Sequence, residues 1–415
     1  MMKNIKCLLC VLLIFSITGC SKVTALNRTG SFQQSSAISV SELETSVNST
    51  NFKNSFPIAD DIYDAAVDIT SYLDRMKEQP FGFMDSKYIL VYNFDKNNFE
   101  KVNIKNGSRE SIYSLSVGQR AITYQYDNNV IVWVEDGEIK SDGIIGKNWG
   151  IYAFDLLTKE VITIEKENEK TTPLNRVFCA TPNEMTYKDG SVVYTARQYY
   201  KDKYCQVLKL YNIDTGEMII IDFLPRNLDE PIDTWFSIPS SNKTYVTYSI
   251  SKANLKNFAE FGEIYLYNIN ENSKTHLVTS NNLLHPQLCD NYIIARMKPE
   301  GQNEKSEIWV YDLESNSWIT SITNESKLYE GYIVKPFELV GLIPSSDLFT
   351  WHENAYSAAI GVANLKNFKL IPVTTRRMDK RMTTRMFNNG MLLWNEYGFS
   401  EEREKSRYKY VIFNK

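Results

Sequence analysis

Apolar and polar residues alternate along much of the chain, most regularly in a six-residue segment with Asp or Asn at its fifth position. Because successive side chains of a strand point to opposite faces, this alternation predicts β-strands. The Asp or Asn side chain favours a tight turn directly afterwards, since it can accept hydrogen bonds from nearby backbone N–H groups. The seven copies of this segment are residues 99–104, 151–156, 208–213, 264–269, 308–313, 360–365 and 410–414.

A second segment, a small polar turn followed by a strongly apolar strand, precedes each copy of the first. The seven apolar strands begin at Tyr88, Val130, Val192, Thr244, Tyr292, Leu348 and Met391. Paired in this way, the two segments recur about every 50 residues, which is typical of a repeat architecture.

A repeat of about four strands cannot bury both faces of its sheet alone, so neighbouring repeats must stack. We therefore predict an all-β fold, a seven-bladed β-propeller with four-stranded blades, with six blades as the alternative. The last repeat has only three strands, and the segment 56–83 is the candidate for its fourth. Residues 62–76 are alternatively a short helix. An unrelated β-sandwich is disfavoured, because it does not predict the regular spacing.

Two repeats resemble known propeller families. The segment from Lys188 to Tyr194 is similar to the Asp-Gly turn and apolar strand of TolB-type repeats, and that from Leu210 to Glu217 is similar to the quinoprotein-like repeat. Most copies lack the Ser-Pro-Asp-Gly sequence of the first family, and the tryptophan of the second is absent. The TolB-like resemblance implies a propeller that acts as a scaffold in an envelope complex.

The N-terminus has the parts of a secretory signal: Lys3 and Lys6, then an apolar stretch too short to span a bilayer. Residues 16–20 end in Gly19-Cys20 and resemble a bacterial lipobox, with Ile17 where Leu is usual. This resemblance implies cleavage after residue 19 and lipidation of Cys20. We expect a lipoprotein anchored on the extracytoplasmic face of the cell membrane, with an ordinary secretory signal as the alternative.

Residues 20–55 contain the lipidated cysteine and a segment rich in Ser, Thr and Asn, which predicts a flexible tether. Such a coil spans roughly 30–35 Å on average. The propeller is then expected over residues 56–415.

Charge and cysteine content narrow the function classes. Loss of Lys3 and Lys6 with the signal takes the formal net charge from −4 to −6, which disfavours a nucleic-acid partner. Cys179, Cys205 and Cys289 remain beside Cys20, in no zinc-like spacing. The sequence leaves two possibilities for these three cysteines: a disulfide between Cys179 and Cys205, or three buried free thiols.

Long connections between the two segments of a repeat predict a binding face. They are expected over residues 135–150, 198–206, 251–263, 298–307 and 398–407. The aromatic candidates there are Trp149, Tyr199, Tyr200, Tyr204, Phe258 and Phe261, of which Trp149, Tyr199, Tyr200 and Phe258 are the foremost candidates for ligand contacts. In the alternative, each ring covers its own blade.

A basic run on the link before the last blade is the other candidate. Arg376, Arg377 and Arg381, with Lys380 and Arg385 nearby, suit a carboxylate or phosphate, because guanidinium groups bind such anions in a two-pronged fashion. A solvated charged loop is the alternative.

The sequence contains no strong motif of catalytic residues. His276, His285 and His352 lie in three different repeats, which disfavours a histidine-rich metal centre, and no Gly-x-Ser-x-Gly segment is present. We therefore expect a non-catalytic protein with no cofactor that holds an envelope protein. A glycan or wall-polymer binding protein is the alternative, and a propeller-based hydrolase or lyase is the third reading.

Overall fold

The structure is a computed structural model that describes residues 62–137, 149–166, 184–225, 234–254, 259–281, 283–297, 307–323, 338–354, 360–374, 380–398 and 407–413. Every structural statement below concerns these residues. The predicted signal peptide, Cys20, the tether and Cys179 lie outside them. No helix in these ranges has the length and apolar character needed to cross a bilayer.

The described chain is almost entirely strand. The first strands in chain order are β1 (Val67–Asp68), β2 (Glu78–Phe83), β3 (Tyr88–Asn93), β4 (Asn98–Asn103), β5 (Arg109–Ser114), β6 (Gln119–Asp127), β7 (Val130–Gly137), β8 (Gly150–Asp155), β9 (Val161–Lys166), β10 (Met185–Lys188), β11 (Ser191–Tyr200), β12 (Lys203–Asn212), β13 (Met218–Pro225) and β14 (Thr234–Phe236). The remaining strands are β15 (Ser240–Ser241), β16 (Tyr245–Asn254), β17 (Ala259–Asn268), β18 (Ser273–Asn281), β19 (Leu283–Cys289), β20 (Tyr292–Met297), β21 (Glu307–Asp312), β22 (Ser317–Thr323), β23 (Glu338–Ser345), β24 (Leu348–Asn354), β25 (Ile360–Asn364), β26 (Lys369–Thr374), β27 (Lys380–Asn388), β28 (Met391–Gly398) and β29 (Arg407–Ile412).

These strands form seven antiparallel sheets, and the fold is a seven-bladed β-propeller. Sheets 1, 2 and 3 are β2 to β5, β6 to β9 and β10 to β13. Sheets 4, 5 and 6 are β15 to β18, β19 to β22 and β23 to β26. Sheet 7 has the order β1, β29, β28, β27. The predicted seven blades are confirmed, and the six-bladed alternative is wrong.

Both sequence segments occupy the positions that the repeat predicts. The strongly apolar segment is the second strand of each sheet, and the alternating segment is the third. The Asp or Asn at the end of the third strand makes the expected turn. Its Oδ1 accepts a backbone N–H two or three residues later at Asn103, Asp155, Asn212, Asn268, Asp312 and Asn364.

The described residues divide into two compact units, each described by itself. Unit 1 lies within Ser114–Ile238 and contains sheets 2 and 3, which share one apolar core. Unit 2 comprises the described residues before and after it, with sheets 4, 5, 6, 7 and 1. Apolar clusters in unit 2 lie between sheets 4 and 5, 5 and 6, 6 and 7, and 7 and 1.

Sheet 7 in unit 2 is completed by the N-terminal segment, as predicted. Val67 pairs with Tyr410 and Asp68 with Lys409, so β1 is the fourth strand of the sheet. The pairing is continued by Ile69 N, which donates to Tyr408 O at 3.0 Å. The helix alternative is realised only as two single 3-10 turns, Tyr63–Ala65 and Thr70–Tyr72.

Ion pairs fix the chain that follows this closing strand to sheet 1. The Arg109 guanidinium binds both carboxylate oxygens of Glu78, at 2.5 and 2.9 Å, and one oxygen of Glu100 at 3.0 Å. It also donates to Tyr72 O at 2.5 Å. The closing segment, defined here as residues 62–78, is therefore bound to sheet 7 at one end and to sheet 1 at the other.

Unit 1 contains a fully buried ion pair between its two sheets. Lys209 on β12 is 0% exposed, and its Nζ lies 2.7 and 2.9 Å from the two carboxylate oxygens of Glu165 on β9. The Tyr194 hydroxyl on β11 donates to the same carboxylate at 2.5 Å. Removing one member of such a pair leaves an uncompensated buried charge, which costs about 3–5 kcal/mol.

We expect Lys209→Met to lower the free energy of unfolding by about 3 kcal/mol or more, because Glu165 keeps its charge without its cation. The double variant Lys209→Met with Glu165→Gln should recover most of that loss. Lys203→Met, on the exposed start of the same strand, is the matched control. Urea unfolding measures all three. A single variant as stable as the control would contradict a structural role for the pair.

Candidate functional site

One end of each sheet gathers the connections that were expected to form the binding face. In a four-stranded antiparallel sheet, the first and third strands start where the second and fourth strands end. We call this the long-loop end of a sheet. The Asp and Asn turns lie at the opposite end of each sheet.

The prediction of a long connection over residues 198–206 is wrong. β11 and β12 continue through it with pairs Gln198 to Cys205, Tyr199 to Tyr204 and Tyr200 to Lys203, leaving only Lys201 and Asp202 as a turn. Both turn residues have positive φ, 51° and 62°, as a two-residue hairpin requires. Neither is Gly or Asn, so the usual sequence signal is missing. β16 and β17 likewise extend into the connection expected over residues 251–263, to Asn254 and from Ala259.

The predicted aromatic residues of unit 1 separate into buried and exposed rings. Trp149 is 1% exposed and packs in the core, as in the alternative in which each ring covers its own blade. Tyr204 is also buried, and Tyr200 is half-buried against Phe223, with ring centroids 5.1 Å apart. Tyr199 is 56% exposed, and its ring packs edge-on against Tyr204 at 5.6 Å.

Of the remaining predicted contact residues, Phe258, Arg376 and Arg377 lie outside the described residues. Arg381 is the second residue of β27 and pairs with Tyr397 through the backbone. The nearby Arg385 is fully described, and its side chain is exposed.

A buried carboxyl at the long-loop end of sheet 3 was not among the predicted site residues. Glu184 precedes β10, and its Oε2 is buried without a hydrogen-bond partner in the described chain. Burial raises the pKa of Glu184 to about 7, against the opposing effect of the Arg197 guanidinium. Gln198 Oε1, one residue beyond Arg197, is also buried without a partner in the described ranges. The Glu184 carboxyl can therefore gain or lose a proton near neutral pH.

Arg385 is aimed by a β-bulge in the first strand of sheet 7. The register of β27 against β28 shifts between Thr384 and Met386, so Arg385 is the extra residue. A bulge re-aims the side chain that it inserts. Arg385 Nε donates to Asn395 Oδ1 on β28 at 3.0 Å, and Asn395 is 0% exposed. The Asn395 Nδ2 group is buried and has no partner among the described residues.

Arg75 of the closing segment reaches the same face of sheet 7. Its guanidinium carbon lies 5.9 Å from the centre of the Tyr397 ring, and Tyr397 is two residues from Asn395 on β28. Tyr408 is the direct cross-strand neighbour of Asn395. We call Arg75, Arg385, Asn395, Tyr397 and Tyr408 the arginine row.

Electrostatics link the members of the row. Burial raises the pKa of the Tyr408 hydroxyl, while the Arg385 and Arg75 guanidinium groups act to lower it. His352 on β24 lies beside Arg385 and donates or accepts a hydrogen bond between Nδ1 and Thr384 Oγ1 at 2.8 Å. Burial, then the charge of Arg385, lowers the pKa of His352 to about 4, so its ring is neutral at pH 7.

Metal-binding groups were also sought across the described ranges. Within them, no three His, Cys, Asp or Glu side chains are grouped to hold an ion. Cys205 and Cys289 are buried; the predicted pairing of Cys205 with Cys179 stays a prediction.

Comparison with known proteins identifies the fold. No family model matches the chain, and no curated protein matches its sequence. The β-propeller domain of the Trilobed protease from Pyrococcus furiosus has a TM-score of 0.50 at 10% identity, covering 78% of this chain and 93% of that one. An oligogalacturonate lyase in complex with manganese has a TM-score of 0.50 at 13% identity, covering 81% and 88%. At these identities the likeness shows the β-propeller fold alone.

The pKa of Glu184 predicts a pH-dependent stability. Its folded pKa of about 7 lies above the ordinary value of 4.5 for a glutamate carboxyl, so the folded state holds the proton more tightly. The contribution of Glu184 to the free energy of unfolding is therefore complete below pH 4.5. It is lost as the pH rises through 7, and the loss is roughly 3 kcal/mol at most.

Glu184→Gln removes this titration and should be increasingly more stable than the wild type between pH 5 and pH 8. Urea unfolding at both pH values measures the difference. Glu217→Gln, at an exposed position of the same unit, is the control and should show no such trend. Parallel pH profiles for the wild type and Glu184→Gln would show that the carboxyl titrates normally.

Proposed function

We propose that this propeller is a non-catalytic binding protein that holds a protein partner of the cell envelope at the long-loop ends of its sheets. In this proposal Cys20 carries the lipid that anchors the chain at the extracytoplasmic face of the membrane. The 20–55 tether places the propeller roughly 30–35 Å from that anchor.

The exposed ring of Tyr199 carries the proposal for a protein partner. Tyrosine is enriched at the centres of protein interfaces, because it offers a large apolar surface with a polar tip and few rotatable bonds. The ring stands on a paired hairpin whose neighbours Tyr200 and Tyr204 are packed below it. Such support lowers the entropy lost when a partner immobilises the ring.

A glycan or wall-polymer ligand is the second proposal. An exposed aromatic ring stacks on sugars as well as on peptides. Arg385 offers an exposed side chain four positions after Arg381 in the sequence. Changing Arg376 and Arg377 to Ala should weaken binding of purified wall polymer while leaving a protein partner in place. That contrast distinguishes the two ligands.

A propeller-based hydrolase or lyase is the third proposal, and the neutral-pH carboxyl of Glu184 is what favours it. Turnover of a glycan or peptide that is lost in Glu184→Gln, with folding intact, would place this proposal first.

The protein-partner proposal predicts a site-specific crosslink. A photo-crosslinking amino acid at position 199, introduced in intact cells, should give a covalent adduct with one envelope protein. The same group at Leu157 is the matched control, because Leu157 is 75% exposed in unit 1 but follows the turn residue Asp155 at the opposite end of sheet 2. Tyr199→Ala should reduce co-purification of the adduct partner about 10-fold or more. Identical adducts from both positions, or none from 199, would contradict the proposal.

Lipid anchoring predicts that a variant without Cys20 leaves the membrane fraction. Cys20→Ala should abolish incorporation of labelled palmitate and move the protein from the membrane pellet to the soluble fraction. Cys7→Ala, within the predicted signal, should leave both unchanged. Retention of label by Cys20→Ala would overturn the anchor.

A further inference from the structure

The arginine row contains two positive charges, those of Arg75 and Arg385, on one face of sheet 7. Among the described residues, neither Arg75 nor Arg385 forms an ion pair, and Arg75 Nη1 is buried without any hydrogen-bond partner. Exposed arginines without a partner are common, but a buried guanidinium nitrogen without an acceptor costs free energy. A ligand with acceptor oxygens would remove that cost.

Two carboxylates near the row, those of Glu78 and Glu396, are bound to other cations. Glu78 acts on the Tyr408 hydroxyl but is held by both nitrogens of Arg109. Glu396 lies on the opposite face of β28, where it binds Lys409 at 3.3 Å and the Tyr63 hydroxyl at 2.7 Å. Within the described ranges, no carboxylate oxygen lies within 4.0 Å of the Arg75 or Arg385 guanidinium nitrogens.

The bulge that presents Arg385 distinguishes sheet 7 from two others. Sheets 1 and 2 have the same kind of register shift in their first strands, between Pro80 and Gly82 and between Ala121 and Thr123. The residues inserted there are Phe81 and Ile122, both apolar and half-buried. The first strands of sheets 5 and 6 also shift in register, and the shift in sheet 5 spans His285, so the bulge is not confined to apolar residues. Phe81 and Ile122 pack against other apolar side chains, whereas Arg385 is exposed and donates to Asn395.

Neutral donors complete the row. Asn395 accepts from Arg385 through Oδ1, which leaves its buried Nδ2 group next to that guanidinium without an acceptor. The hydroxyl of Tyr408 lies under the influence of both arginines. The row thus combines two cations with two neutral donors. Within the part of the chain that the structure describes, Arg75 Nη1 and Asn395 Nδ2 have no acceptor.

From this arrangement we infer that the arginine row binds the phosphate group of a soluble phosphomonoester, with Arg75 and Arg385 supplying the charge and Asn395 and Tyr408 the neutral hydrogen bonds. A phosphomonoester has a charge of about −1.5 to −2 at pH 7, which matches two guanidinium groups better than a single carboxylate does. A neutral His352 adds no third charge.

The position of the row favours a small soluble ligand over a lipid surface. Asn395 is 0% and Tyr408 4% exposed, so a phosphate that reaches their donors must pass inside the outer surface of sheet 7. Arg75 also borders a surface cleft of about 570 Å³ in unit 2, lined by Thr70, Ser71, Tyr72, Asn106 and Arg109, which leaves it reachable from solvent. A flat array of head groups would meet the exposed side chain of Arg385 but not the buried donors of Asn395 and Tyr408.

The test is titration of the intact protein with inorganic phosphate by isothermal calorimetry at pH 7.5. We expect saturable binding, and Arg75→Gln or Arg385→Gln should each weaken it about 10-fold or more, the usual effect of losing a hydrogen bond to a charged group. Tyr408→Phe keeps the ring in the core and should weaken binding by a smaller factor. This outcome is separable from the proposed function, because Tyr199 lies in unit 1 and does not enter the measurement.

The matched control is Arg407→Gln. Arg407 is exposed and adjacent to Tyr408, but its side chain alternates to the other face of β29, so it changes the net charge equally without touching the row. Equal losses in Arg407→Gln and Arg385→Gln would overturn the site, as would the absence of phosphate binding. If acetate bound as tightly as phosphate, the inference that the two guanidinium groups select a doubly charged phosphate would be wrong. Row-dependent binding to phosphatidic acid vesicles, with none to soluble glycerol phosphate, would overturn the soluble source.

Discussion

Closure of the last blade by the first described strand is the constraint on which unit 2 depends. A propeller sheet buries its faces only against neighbouring sheets, so the last sheet must be completed and joined to the first. Only Val67 and Asp68 pair with β29, a very short contact. Neighbouring interactions stabilise this contact. Ile69 and Leu73 pack in the core between sheets 7 and 1, and Arg109 binds the Glu78 carboxylate and the Tyr72 carbonyl.

The same closing segment builds the candidate phosphate site. It brings Arg75 to the Tyr397 ring, on the face of sheet 7 where Asn395 and Tyr408 lie. Arg75 and Tyr397, more than 300 positions apart in sequence, thus meet only because the chain is closed. The buried Lys209 and Glu165 pair in unit 1 has the simpler role of aligning two sheets, since each of its charges already has a partner.

Much of the fold was predictable from the sequence because strand alternation and Asx turns are local signals. The third strand ending at Asn212, for example, shows both its period-2 pattern and its turn within ten residues. The hairpin at Lys201 and Asp202 was missed because its turn uses positive φ without Gly or Asn. The site was harder still. The bulge at Arg385 depends on the register between β27 and β28, and so does the burial of an Asn395 Nδ2 group that has no partner among the described residues. The sequence of one strand alone does not determine that register.

Hydrogen exchange at β29 is the most direct measurement of this account. Peptides covering residues 407–413 should be strongly protected in the intact protein and should lose protection by at least 10-fold in a chain that begins at Lys77, while β12 in unit 1 stays unchanged. Loss of β1 exposes the outer edge of β29 and frees Tyr408 N from Thr70 Oγ1. Equal protection of β29 in both chains would show that the closing segment does not hold the last blade.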